Sequence, residues 1–253
     1  YLTPGVEWLA SRMEVRVAVS EDAREMADEA LGGSYEVAFN GIEVAKFQEI
    51  EAVESPQPTI AYVGRHEPRK GLETLLQALR NLPEAVKLWV MSEGPQTGEL
   101  KARYGGDPRI EWLGSVTDEE KISRLKGADV FCVPSLRGES FGIVLLEGMA
   151  AGTPIVASNI AGYKNVATHE KHAELVEPGN PELLAAALTR VLEDKKYSAS
   201  LILAGHERAA EFSMDRLAQL YLRYYKVAID QSNKATKEPS RWSELAKFRS
   251  FSK

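Results

Sequence analysis

Two glutamates, Glu139 and Glu147, stand eight positions apart around the start of a run, 141–149, that is apolar except for Glu147 and two glycines. A helix made from that run must be buried, and a carboxylate on a buried helix costs several kcal/mol unless it is paired or hydrogen-bonded. Glu147 therefore requires a donor, and a ligand hydroxyl qualifies. Glu139 precedes the helix, beside backbone N–H groups that suit an anion, and Ser140 is placed to cap it. Two acceptors flanking an anion-binding helix end match a molecule with hydroxyls on both sides of a phosphate. A nucleotide sugar is such a molecule.

A second group lies in Gly64-Arg65-His66-Glu67-Pro68-Arg69-Lys70-Gly71. Gly64 lets the backbone turn closely, and Arg65 and Lys70 offer two cations to a diphosphate. Charge-assisted hydrogen bonds of that kind contribute about 1.5–3 kcal/mol each. In Trp112-Leu113-Gly114-Ser115-Val116-Thr117-Asp118, Asp118 could accept both N1–H and N2–H of guanine, a donor pair that uracil lacks. The same residues also read as a helix start, with Thr117 and Glu120 forming a capping box and Asp118 in the first turn. Of the four histidines, His169 and His172 lack a third ligand at a spacing suited to a metal. No Asp-x-Asp pair occurs, so no metal-bridged diphosphate site is expected.

These residues need a scaffold, and from residue 59 onward β-rich runs alternate with helical patterns. The periodicity predicts strands at 59–63, 87–91, 110–113, 130–133, 155–157 and 174–176, with helices at 72–82, 98–104, 118–125, 141–151 and 182–192. Such alternation implies an α/β fold, a Rossmann-like doubly wound parallel sheet whose ligands bind beyond the carboxyl ends of the strands. Every chemical group named above follows a strand end.

Outside that core, residues 1–58 supply a helix near 6–13, a strand 15–19, a helix 22–31, a strand 35–39 and a linker from Asn40-Gly41 to Pro58. Two strands and a helix are too little to bury a core alone, so this segment reads as the end of a larger N-terminal domain. Residues 59–212 form the main domain. Helices at 198–212 and 214–229 follow, the second with Leu217, Leu220, Tyr221, Tyr224 and Val227 at packing positions. The tail 231–253, with six Lys/Arg against two Glu, reads as disordered, an anionic membrane being its alternative partner.

Composition sets the outer limits. The 253 residues carry a net charge of −6, which disfavours nucleic acid as a partner. The single cysteine, Cys132, excludes an internal disulfide and reads as a small core residue. No apolar run approaches the roughly 20 residues that span a bilayer, so the expectation is a cytoplasmic protein, at most peripheral on the inner membrane face.

Gly64-Arg65, Glu67-Pro68-Arg69-Lys70-Gly71, Gly138-Glu139-Ser140-Phe141-Gly142-Ile143-Val144 and Ala150-Ala151-Gly152-Thr153 together resemble the donor-binding half of GT-B glycosyltransferases of family 4. Within that family the phosphatidylinositol mannosyltransferase branch is the nearest, and Ala18-Val19-Ser20 and Asn40-Gly41-Ile42-Glu43 extend the likeness to about residues 11–229. The resemblance implies that Arg65 and Lys70 bind the donor diphosphate and, with Glu139 on the sugar hydroxyls, form the catalytic set. It further implies Glu147 on the ribose, backbone amides of Phe141, Gly142 and Ile143 toward phosphate or sugar, and Val116 along the base. Asp118 would read guanine, with Lys121 matching the same branch. The implied reaction is retaining transfer of mannose from GDP-mannose to a phosphatidylinositol-like lipid or small polyol, without a metal.

Two departures from the family pattern stand out. The loop between Arg65 and Lys70 is one residue shorter, and the family's acceptor site, glycine-rich loop and histidine have no counterpart here. The expectation is a donor half that transfers no sugar alone. Competing readings are a UDP-sugar-dependent transferase of the same family and a noncatalytic nucleotide-binding domain.

Overall fold

The computed structural model describes residues 4–237, and the basic tail beyond 237 lies outside the described residues. The described residues divide into two compact units, 4–39 with 215–237, and 40–214.

In the first unit, helix α1 (Pro4–Ala10) and strand β1 (Val17–Ala18) precede helix α2 (Glu21–Leu31) and strand β2 (Glu36–Val37). β1 and β2 pair in parallel, pairing Val17 with Glu36 and Ala18 with Val37. Ser20 caps α2 by accepting from the Ala23 N–H at 3.1 Å. Residues of helix α11 (Met214–Lys237) share this unit, and Tyr221, Tyr224 and Tyr225 line an apolar cleft of about 620 Å³ with Leu9, Met13 and Tyr35. Tyr221 and Tyr224 are half-buried, as their spacing predicts, whereas Val227 is exposed.

The second unit opens with helix α3 (Val44–Glu49), which lies in the stretch expected to be a linker. Strands β3 (Thr59–Val63), β4 (Lys87–Met91), β5 (Ile110–Gly114), β6 (Val130–Val133), β7 (Ile155–Ser158) and β8 (Glu174–Val176) form a six-stranded sheet in the order β5-β4-β3-β6-β7-β8. Every pairing in it is parallel. Parallel strands need covered faces, which explains why the inner strands β3, β6 and β7 are buried almost throughout rather than alternating. Helices α4 (Leu72–Ala78), α5 (Thr97–Tyr104), α6 (Asp118–Gly127), α7 (Ile143–Ala151), α8 (Ala161–Lys164), α9 (Pro181–Glu193) and α10 (Lys195–Glu211) supply that cover.

One face buries Ile60, Tyr62, Leu88, Val90, Val130 and Cys132 against leucines of α4 and α9, such as Leu72, Leu75, Leu184 and Leu188. Each such side chain contributes about 1.5–3 kcal/mol on burial. The other face carries Phe131, and α7 packs there so closely that a Cβ on Gly148 would meet the Phe131 ring at 2.6 Å. Cys132 is fully buried, and burial pushes its thiol far up. It is a core residue, as its apolar neighbours predict.

Strand order decides where a ligand can sit. β3 and β6 are neighbours at the centre, and the chain winds away from β3 on one side and from β6 on the other. At such a switch the loops leaving the two central strands diverge and open a crevice at their carboxyl ends. The loops leaving β3 and β6 are the two glycine-containing segments singled out in the sequence.

Candidate functional site

The loop after β3 closes with a single 3₁₀ turn, Pro68–Lys70, and Gly71 follows it in the left-handed region at φ 69°. That turn projects Lys70 toward the loop after β6. There the Lys70 Nζ lies 2.6 Å from Glu139 Oε1, and the Arg69 guanidinium reaches the same oxygen at 3.4 Å. Arg69 also pairs with Glu67 at 2.7 Å and donates to the Gly138 carbonyl at 3.1 Å. The sequence motif therefore brings Lys70 and Glu139 together as expected. It also contributes Arg69, whose placement the sequence did not distinguish from the solvated loop cations around it.

Arg65 is different. It is exposed, and among the described residues its side chain makes no hydrogen bond or ion pair. Gly64 lies at the strand end, close enough to Tyr62 that a Cβ would stand 2.9 Å from the phenol oxygen. Three buried polar atoms beneath this loop lack a partner: Tyr62 OH, His66 Nε2 and Trp112 Nε1. His66 donates or accepts only through Nδ1, 2.8 Å from Thr97 Oγ1, and burial holds its pKa below the usual histidine value.

The helix around Glu147 begins later than the sequence suggests. α7 starts at Ile143, and Gly142, not Ser140, occupies its N-cap with φ 91° in the left-handed region. Phe141 and Gly142 are buried while Ile143 is exposed, so only part of the expected backbone cradle faces outward. The donor that Glu147 requires is found within the protein. Lys121 of α6 approaches Glu147 Oε1 at 3.0 Å, and the Glu147 side chain is 22% exposed rather than sealed. Burial works to lower the Lys121 pKa, but Glu147 and Asp118 outweigh it, and the ammonium is held above its usual range.

Lys121 links two carboxylates. It stands 3.2 Å from Asp118 Oδ1, and Lys46 of α3 lies 3.5 Å from the other oxygen of Asp118. The hydrogen bond from Lys121 is the main cause holding Asp118 below the ordinary carboxylate range. Thr117 caps α6 by accepting from the Glu120 N–H at 3.1 Å, so the cap reading holds while Asp118 stays exposed at the helix start. Val116 is half-buried at the end of the β5 loop. His169 and His172 each accept a backbone N–H at Nδ1 from Leu175 and Thr168, which ties both to the local backbone.

Two sets of ion pairs result: Arg69 and Lys70 on Glu139, and Lys121 between Glu147 and Asp118, with Lys46 on the second oxygen of Asp118. No helix among the described residues is long and apolar enough to cross a membrane.

The family model described as Glycosyl transferases group 1 matches residues 43–208. A phosphatidyl-myo-inositol mannosyltransferase of Mycolicibacterium smegmatis is 36% identical over 220 residues, covering 83% of this chain and 56% of the relative. The mannosyltransferase of the same description from Mycobacterium leprae is 34% identical over 227 residues, covering 87% of this chain and 60% of the relative. The chain thus spans less than two thirds of the length of these relatives. Among solved structures, sucrose-phosphate synthase from Thermosynechococcus elongatus matches with a TM-score of 0.74 at 25% identity, over 85% of this chain and 58% of that one. The Anabaena protein HepE, in complex with UDP-glucose, shares the fold with a TM-score of 0.73 at 22% identity, over 90% of this chain and 66% of that one.

Proposed function

Since the chain belongs to the group 1 glycosyl transferases and its sheet is the Rossmann-like C-terminal domain of the GT-B fold, we propose that it is the donor-binding half of a retaining mannosyltransferase that takes GDP-mannose. The observation that carries this reading is the meeting of Lys70 and Arg69 with Glu139 at the β3–β6 switch point. A diphosphate arriving there finds an ammonium already drawn into the crevice, and exposed Arg65 supplies a second cation without breaking a contact. As the bond from sugar to diphosphate breaks, negative charge builds on the leaving nucleotide. Fixed cations stabilise that charge more than the ground state, which is the main physical route to rate acceleration in such a site.

Displacement of Lys70 from Glu139 by phosphate oxygens frees the carboxylate to accept from sugar hydroxyls. Glu147 accepts from ribose hydroxyls while Lys121 stays paired with it. Asp118 reads the N1–H and N2–H pair of guanine, with Val116 along the base and Phe141, Gly142 and Ile143 contributing backbone amides. The acceptor on this reading is a phosphatidylinositol-like lipid or a small polyol. Calorimetric titration of GDP, UDP and GDP-mannose into the chain tests it. Tighter binding of GDP than UDP, with that preference lost in Asp118→Ala, supports the reading. Equal or tighter binding of UDP would replace guanine by uracil as the base.

A further inference from the structure

We infer that Tyr163 and Ser135 are positioning residues for Glu139, and that the short helix α8 holds the loop 138–142 in place through them. The inference rests on the proposed role of Glu139 toward the sugar. Tyr163 is fully buried, and its hydroxyl donates to Ser135 Oγ at 2.8 Å. Ser135, itself buried, donates its one proton to Glu139 Oε1 at 3.2 Å. The direction follows from the groups: a carboxylate only accepts, so the serine proton points to Glu139 and the serine lone pair is left for the tyrosine. Burial raises the Tyr163 pKa well above the usual phenol range, which keeps the donor protonated.

All donors that the described residues give Glu139 converge on one oxygen. Lys70, Arg69 and Ser135 reach Oε1, and no donor among the described residues reaches Oε2. Nor is Oε2 among the buried polar atoms without a partner, so it stays open to solvent. Pinning Oε1 aims Oε2 outward as a fixed acceptor. Lys70 leaves when phosphate takes it, whereas Ser135, buried behind the loop, keeps its proton on Oε1. The relay is therefore the part of the Glu139 environment that persists with ligand bound.

The backbone of α8 supports the same loop. A Cβ on Gly162 would stand 1.7 Å from the Glu139 carbonyl oxygen, so only glycine allows this approach. A Cβ on Gly142 would meet the Tyr163 ring at 2.7 Å, and Asn165 Nδ2 donates to the Ser140 carbonyl at 3.3 Å. Glu139, Ser140 and Gly142 of the loop thus all rest on the single turn of α8 and its C-cap.

The test separates this role from simple packing. Tyr163→Phe keeps the ring and removes only the hydroxyl, and Ser135→Ala removes the next link. Titration of each with GDP and with GDP-mannose gives the ratio of the two affinities. The expected result is unchanged GDP binding with the GDP-mannose advantage reduced about 3- to 10-fold in either variant, and no further loss in the double variant. An unchanged ratio overturns the inference. If the unsubstituted chain binds neither ligand, the proposed function fails on its own. Amide hydrogen exchange of ligand-free protein then decides the positioning claim: faster exchange confined to 138–142 in Tyr163→Phe supports it, and unchanged exchange overturns it.

Discussion

The Lys70 ammonium stands 2.6 Å from Glu139 Oε1, across the gap between the loops that leave the two central strands. A cation proposed for the diphosphate and a carboxylate proposed for the sugar thus hold each other when the crevice has no ligand. The pair keeps both side chains at the switch point and avoids leaving either half-buried charge alone.

That contact makes the two residues behave oppositely when changed. Glu139→Gln removes the competing charge, so GDP affinity rises a few-fold while the extra affinity of GDP-mannose over GDP falls. Lys70→Met weakens both ligands by about 10-fold or more, the loss of one charge-assisted contact. Titration calorimetry on the two variants reads both effects. A parallel loss of both ligands in Glu139→Gln would show that the carboxylate organises the loop rather than competing for Lys70.

Base choice turns on Asp118 and its two lysines. Asp118→Ala lowers GDP affinity about 10-fold and leaves UDP unchanged, because only guanine presents two donors to the carboxylate. Lys46→Ala acts the other way. It frees one Asp118 oxygen and raises GDP affinity slightly, most clearly at low ionic strength, where exposed pairs are least screened. Titrations at two salt concentrations check the difference.

Ser92 is a non-glycine residue held in the left-handed region, at φ 86°, just after β4, where its N–H donates to the Gly114 carbonyl at 2.6 Å. A side chain at such a φ costs about 1–3 kcal/mol, against about 0.5–1 kcal/mol for the extra freedom of glycine in the unfolded chain. Ser92→Gly therefore stabilises the fold by about 1 kcal/mol. The urea midpoint rises with the slope unchanged, and a lower midpoint would refute the strain argument.

His66 sets a pH dependence. Its pKa is lowered chiefly by burial, with Lys101 adding to the effect and Glu93 opposing it. The unfolded chain takes up a proton near the ordinary histidine value, whereas the folded chain resists until lower pH. The contribution is therefore fully present above about pH 6.5 and is lost as pH falls toward the folded value. His172, also lowered by burial, acts in the same direction. His66→Gln should flatten part of the fall in urea midpoint between neutral and mildly acidic pH, and an unchanged slope would exclude His66 as a source.

Much of this protein was legible in its residues. All six strands of the large sheet fall within a residue of their expected ends, and for the inner ones the reason is that runs buried on both faces are near-continuously apolar. The loops carrying Lys70 and Glu139 were recognisable as chemical motifs only in combination, since glycine and loop cations alone also serve turns and solvation. Helices α3 and α8 were not, being too short to show a helical period.

Partnership was the part that only the fold decided. Glu147 called for a donor, yet nothing local named Lys121, 26 positions away on the neighbouring helix. Ser135 and Tyr163 are 28 positions apart and meet only because β6 and β7 are adjacent strands. Local pattern specifies which faces are buried. Strand order, which no short window encodes, determines which loops share a crevice and hence which charges meet.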